Sequence, residues 1–231
     1  MEVGSETSYP TPPVVRDTPR MSVNKLGEYM QAGVSRRRKI IQQQREPKPF
    51  IGPRYTAAAR AIASFLVTRE ESVLDAFEAK VRAQQPKSKW KREQADLLLE
   101  AVASFRRMAG SIVLPPGAKF VTGSPKPKKL KVRGVELSVC PDLLVRTASH
   151  TGALKLVLSK TKSYQLTAKS AEYVGTCLHH FVEATQGEAS TKLCFVVDVF
   201  QGVVFKAPTS YRRRRQEVED ACDEIARGWL P

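Results

Sequence analysis

Most signatures of recognisable chemistry are missing from this chain. Its 231 residues include only four cysteines and three histidines. Cys140, Cys177, Cys194 and Cys222 are widely spread and form no CxxC pair. That argues against a zinc ribbon or a disulfide framework, and for small buried thiols in a reducing compartment. His179 and His180 are neighbours on a helical pattern, so they point about 100° apart and do not share one ion easily. With His150 in a turn, no Ser/His/Asp or Cys/His set can be assembled. Glycine-rich phosphate loops, HExxH and GxSxG are absent. No apolar run approaches the about 20 residues of a membrane span. Leu97-Leu98-Leu99 and the stretch 193–205 are interrupted by Glu100, Asp198 and Gln201. Residues 1–9 are polar, without the apolar segment of a secretory signal, so a cytoplasmic location is expected.

Acidic residues are also in short supply. Lys+Arg number 38 and Asp+Glu 23, giving a net charge of +15 and a pI near 9.9. Such an excess suits a polyanion, most simply nucleic acid. At 42% hydrophobic and 26% charged the composition is that of a globular protein, long enough to bury a substantial core.

Residues 1–20 hold Pro10, Pro12, Pro13 and Pro19 with no apolar periodicity and read as a disordered tail. Residues 21–86 read as a helical N-terminal region. Ser22 or Asn24 caps a first helix there and Ser35 a second. Further helices carry Ala58, Ile62, Phe65 and Leu66, then Leu74, Phe77 and Val81. Residues 87–231 read as an α/β core. Its longest helical pattern, 90–108, sets Leu98, Val102 and Phe105 on one face. After Gly110 the pattern alternates. One or two strands are expected over 129–146 around Gly134, another over 153–162, and a hairpin about Gln201-Gly202. A helix capped by Thr167 or Ser170 and a final helix over 211–229 complete an order α-β-β-β-α-β-β-α. No internal repeat is visible.

Two short motifs stand out: Cys140-Pro141-Asp142 closing one strand and Leu158-Ser159-Lys160 closing the next. On these the stretch from Trp90 to Ala207 resembles the PD-(D/E)XK nuclease superfamily in its RecB-like branch. The resemblance implies a restriction-endonuclease-type αβββαβ core, a mixed sheet with flanking helices. Pro141-Asp142 matches the family's Pro-Asp, Lys160 its lysine, and Thr161 with the helix after it the RecB-like continuation. It further implies Mg²⁺-dependent phosphodiester cleavage: Asp142 as metal ligand, Lys160 stabilising charge, and a second carboxylate sharing the ion. Mg²⁺ is a hard cation that takes carboxylate oxygens and polarises the scissile phosphate. The sequence departs from the pattern at Leu158, which stands where the acid belongs. Glu100 on the preceding helix, or Glu136 with the strand parity of Asp142, is the candidate replacement. The plainer roles are a turn acid for Asp142, a solvated lysine for Lys160, and salt-bridged surface carboxylates for the other two.

The basic residues are clustered. Arg36, Arg37, Arg38 and Lys39 open a short helix, and Arg212-Arg213-Arg214-Arg215 open the last one. Both runs oppose the helix dipole, which points to phosphate contact. Lys126, Lys128, Lys129 and Lys131 surround the entry to a strand. Lys87, Lys89, Lys91 and Arg92 flank Trp90, a residue able to stack on a base. The expectation is a nucleic-acid-binding protein, DNA foremost, with metal-dependent cleavage if Asp142 finds a second carboxylate. The alternative is a catalytically inactive nuclease-fold scaffold binding nucleic acid or protein, a second copy of the chain included. A structural role in a phage or mobile element suits the composition but rests on no residue.

Overall fold

The computed structural model describes residues 15–47, 55–84, 88–123, 129–160 and 166–229. Residues 1–14, Lys87, Lys126, Lys128 and Thr161 lie outside the described residues.

The chain enters through β1 (Arg20–Ser22), directly followed by α1 (Val23–Gln31) and α2 (Val34–Arg45). The Ser22 side chain accepts the Lys25 N–H and caps α1, whereas α2 starts from Gly33 without a side-chain cap. The described end of the expected tail is held in place. The Arg16 N–H donates to the Arg45 carbonyl at 2.9 Å, and the Trp229 indole donates to the Arg16 carbonyl at 2.9 Å. Next come α3 (Thr56–Thr68), α4 (Glu71–Ala83) and α5 (Lys89–Met108). They are amphipathic helices whose apolar stripes meet one another.

The strands follow: β2 (Lys119–Thr122), β3 (Lys129–Val132), β4 (Val135–Ser138), β5 (Leu143–Arg146) and β6 (Thr151–Val157). Then come α6 (Ala168–Gln186), β7 (Phe195–Asp198), β8 (Val203–Lys206) and α7 (Tyr211–Trp229). They form a five-stranded sheet of order β2-β5-β6-β7-β8 and a three-stranded sheet of order β1-β4-β3. In the larger sheet β6 and β7 run parallel and every other neighbouring pair is antiparallel. The protein is therefore α/β, and α5-β2-β5-β6-α6-β7 reproduces the expected αβββαβ order.

Two details of that order differ from the sequence reading. The first core strand is β2, four residues too short for its alternation to be legible. The pattern over 129–138 is instead a separate hairpin whose turn, Arg133-Gly134, has both φ values positive (45° and 80°).

Helices cover both faces of the large sheet. On one face Leu144, Ala153, Val157 and Val196 meet α1, α6, α7 and the inner side of the small sheet. On the other, Leu143, Val145, Leu154, Leu156, Phe195 and Val197 meet α3, α4 and α5. The span 21–86 is thus divided between the two faces. Apart from Thr151, Lys155 and the buried Asp198, the central strands β6 and β7 carry apolar side chains on both sides, as a doubly covered sheet requires. The approaches are close. A Cβ on Gly152 would stand 2.2 Å from the Leu193 carbonyl oxygen, so only glycine fits there.

Candidate active site and basic surfaces

Asp142 stands where the chain passes from the small sheet to the large one. After β4 the backbone turns through Cys140, which sits in the left-handed region at φ 42° ahead of Pro141. That conformation is uncommon for a residue with a Cβ. It delivers Asp142 onto the end of β5, where its N–H donates to the Leu154 carbonyl at 2.9 Å. With Leu143 opposite Leu154, the next position outward sets Asp142 against Lys155. The carboxylate accepts the Leu156 N–H at 2.7 Å on Oδ2, and Lys155 Nζ lies 3.9 Å from that oxygen. Lys155 Nζ itself donates to the Cys140 carbonyl at 2.9 Å. Burial pushes the Asp142 carboxyl above its ordinary value, while Lys155 and the Leu156 N–H pull it back.

The lysine against Asp142 is therefore Lys155. Lys160 lies three residues past the end of β6, where its ammonium binds both oxygens of Glu100 at 2.5 and 2.7 Å and rests over the Phe200 ring. Leu158 packs into the α3–α5 layer, opposite the face that carries Lys155. Glu136 lies on β4 of the small sheet and accepts from Lys129 Nζ at 2.6 Å. The three carboxylates considered for one metal shell thus occupy three neighbourhoods, each with its own lysine: Asp142 with Lys155, Glu100 with Lys160, Glu136 with Lys129. Two residues before Lys155, at the acid's place in the motif's spacing, stands Ala153, which is fully buried. Among the described residues no group of three or more His, Cys, Asp or Glu side chains is placed to hold a metal. At Asp142 the structure supplies one half-buried carboxylate beside a lysine, whereas Mg²⁺ is held by one or two carboxylates together with water and phosphate oxygens.

The basic runs separate into engaged and free residues. Arg36 binds Glu28. Arg37 binds Glu224 at 2.9 Å, donates to the Ala32 carbonyl and covers the Tyr29 ring. Arg38 and Lys39 are exposed. At the start of α7, Arg212 is exposed, whereas Arg213 binds Glu217. Arg214 bridges Glu172 and Glu217, and Arg215 binds Glu183 and donates to His180 Nε2 at 2.7 Å. Neighbouring carboxylates from α6 and α7 thus offset most of the cations that oppose the dipole, so α7 needs no phosphate to explain them. Trp90 is 54% exposed near the start of α5, beside exposed Lys89 and Lys91.

Two residues that matter here were not singled out as site residues by the sequence: Lys155, hidden within an apolar strand, and Arg20, assigned to the tail. Period-two alternation puts Lys155 on the parity of Ala153 and Val157, but only the β5–β6 register shows what it faces. No helix among the described residues is long and apolar enough to cross a membrane. No family model, curated protein or solved structure matches the chain.

Proposed function

We propose that the protein binds nucleic acid, duplex DNA first among the forms to test, on a nuclease-like core with an incomplete cleavage centre. The observation that carries this reading is the Asp142–Lys155 pair. It stands across the second and third strands of an αβββαβ core, with Ala153 where the second carboxylate of a metal shell belongs. The net charge of +15 supplies the attraction to a polyanion. Backbone contacts by exposed cations are read through their salt dependence, each neutralised phosphate contributing about 0.9 to the slope of log K against log salt.

Metal-dependent cleavage is the second reading. It is favoured by the direct juxtaposition of Asp142 with a lysine, and would require Mg²⁺ to work from one protein carboxylate. One experiment separates the two. Labelled single- and double-stranded DNA is incubated with wild type and Asp142→Ala in Mg²⁺, Mn²⁺ or EDTA, and binding and cutting are read on the same gels. Salt-sensitive binding without cutting in any metal is the expected result. Metal-dependent cutting that disappears in Asp142→Ala would establish a nuclease instead. Failure to bind either DNA at about 50 mM salt, a regime in which such contacts are strong, would leave a protein-binding scaffold.

A further inference from the structure

We infer that the solvent face of the three-stranded sheet, carrying Arg20, Lys129 and Lys131, is a docking platform for the phosphate backbone of duplex nucleic acid. The inference rests on the reading above and names the surface that performs it.

The register builds the platform. Arg20, Glu136 and Lys131 are aligned across β1, β4 and β3, and Ser22, Ser138 and Lys129 form the next row. All six belong to one face, because the alternate residues Met21, Leu130, Val132, Val135 and Leu137 are buried in the core beneath. Strand spacing sets Arg20 about 10 Å from Lys131 across β4, and Lys129 about 7 Å from Lys131 along β3. Three cations thus share a rigid surface with one carboxylate, Glu136. That carboxylate is already taken by Lys129, and the Lys129 hydrogen bond, with Arg20 and Lys131 nearby, holds it below its ordinary value. Arg16 adds a further positive charge close by. Burial, and to a lesser degree the nearby Arg20, lowers its guanidinium from the ordinary value.

Like charges gathered on a small rigid sheet favour an anionic partner. The six described residues of this face include no aromatic on which a base could stack. Ser22 caps α1 and Ser138 Oγ lies 3.6 Å from Cys140 Sγ, so the cations are the groups that would meet phosphate oxygens. A set of charges fixed by strand spacing suits a regular polyanion, and contact there would be independent of base sequence.

The test uses the full chain and a fluorescently labelled random-sequence DNA duplex, with binding followed by anisotropy over a series of KCl concentrations. The triple variant Arg20→Ala, Lys129→Ala, Lys131→Ala is compared with Arg60→Ala, Lys80→Ala, Lys192→Ala. The second variant removes the same charge from exposed sites elsewhere, and circular dichroism confirms that both fold. The platform variant is expected to lower the salt slope by about 2, one each for Arg20 and Lys131, since Lys129 is held by Glu136, and to weaken binding equally for unrelated duplexes. The control variant is expected to keep the wild-type slope. Equal slopes for the two variants would overturn the platform while leaving nucleic-acid binding intact. Wild type that fails to bind the duplex would overturn the underlying reading. Vesicles containing phosphatidylserine provide the last arm: wild-type binding to them that exceeds duplex binding and is lost in the platform variant would reassign the face to a membrane surface.

Discussion

Lys155→Met should cost far more stability than Lys160→Met. Both replacements keep most of the apolar stem and remove the ammonium. At Lys155 the side chain is only 14% exposed and the Asp142 side chain 23%. Removal strips the Cys140 carbonyl of its donor, worth about 1 kcal/mol. It also leaves the covered Asp142 carboxylate with the Leu156 N–H alone, a penalty of about 1–3 kcal/mol. The total of about 2–4 kcal/mol corresponds to a drop of about 1 M in the urea midpoint for a chain of this size. Lys160 and Glu100 are 46% and 44% exposed, and an exposed pair contributes about 0.2–1 kcal/mol.

The pH dependence sharpens the test. Burial raises the Asp142 carboxyl in the folded state, so the folded protein holds that proton more tightly than the unfolded chain does. This contribution to stability therefore falls as pH rises through the folded value. Without Lys155 that value climbs further. The gap between Lys155→Met and wild type should be smallest near pH 4 and largest near pH 7, the unperturbed carboxyl value being about 3.9. Urea titrations at the two pH values measure it. A loss in Lys160→Met equal to that in Lys155→Met, or a gap unchanged by pH, would refute the assignment of Lys155 as the partner of Asp142.

Three further outcomes follow from the packing. His179 and His180 are held below their ordinary value, mainly by burial, with Arg215 adding to it and Glu183 opposing. Stability should hold above about pH 6.5, the unperturbed histidine value, and decline as pH falls below it. Melting temperatures between pH 5 and 7.5 that stay flat, or rise toward pH 5, would contradict this. Gly152→Ala forces a Cβ onto the Leu193 backbone and should destabilise by about 3 kcal/mol or more, at or beyond the usual range for overpacking. A midpoint equal to wild type in urea would show that β6 and the turn at Leu193 separate freely. Of the four thiols only Cys140 is partly exposed; burial pushes Cys194 and Cys222 up to about 12 and Cys177 up as well. A thiol reagent should therefore label one cysteine in the native protein and four in urea, and mass mapping of a second native adduct would count against the packing of α6 and α7.

Elements whose information is local can be read along the chain. Ser22 and Thr167 cap α1 and α6 through their own side chains, and the stripe of Leu98, Val102 and Phe105 writes α5. The run expected as a strand over 153–162 contains most of β6, which ends at Val157, and the turn at Gln201-Gly202 announces the final hairpin. Features that depend on pairing emerge only when the strands assemble. Strands β1 and β2, three and four residues long, acquire their identity from the neighbours they bond to, since runs that short carry no readable period. The division of the early helices between two sheet faces follows from which apolar stripe meets which side of β5, β6 and β7. The same holds for the site. Pro141-Asp142 marks Asp142 as a candidate, but does not indicate which lysine it faces. Sequence spacing ranks Lys160 beside a motif, whereas the ladder between β5 and β6 sets Lys155 opposite Asp142, because facing residues are chosen by register. Arg20 joins Lys129 and Lys131 on one face only because β1 lies parallel to β4. Charge and helical periodicity can be read along a chain, but the company a charged residue keeps is settled when distant strands come together.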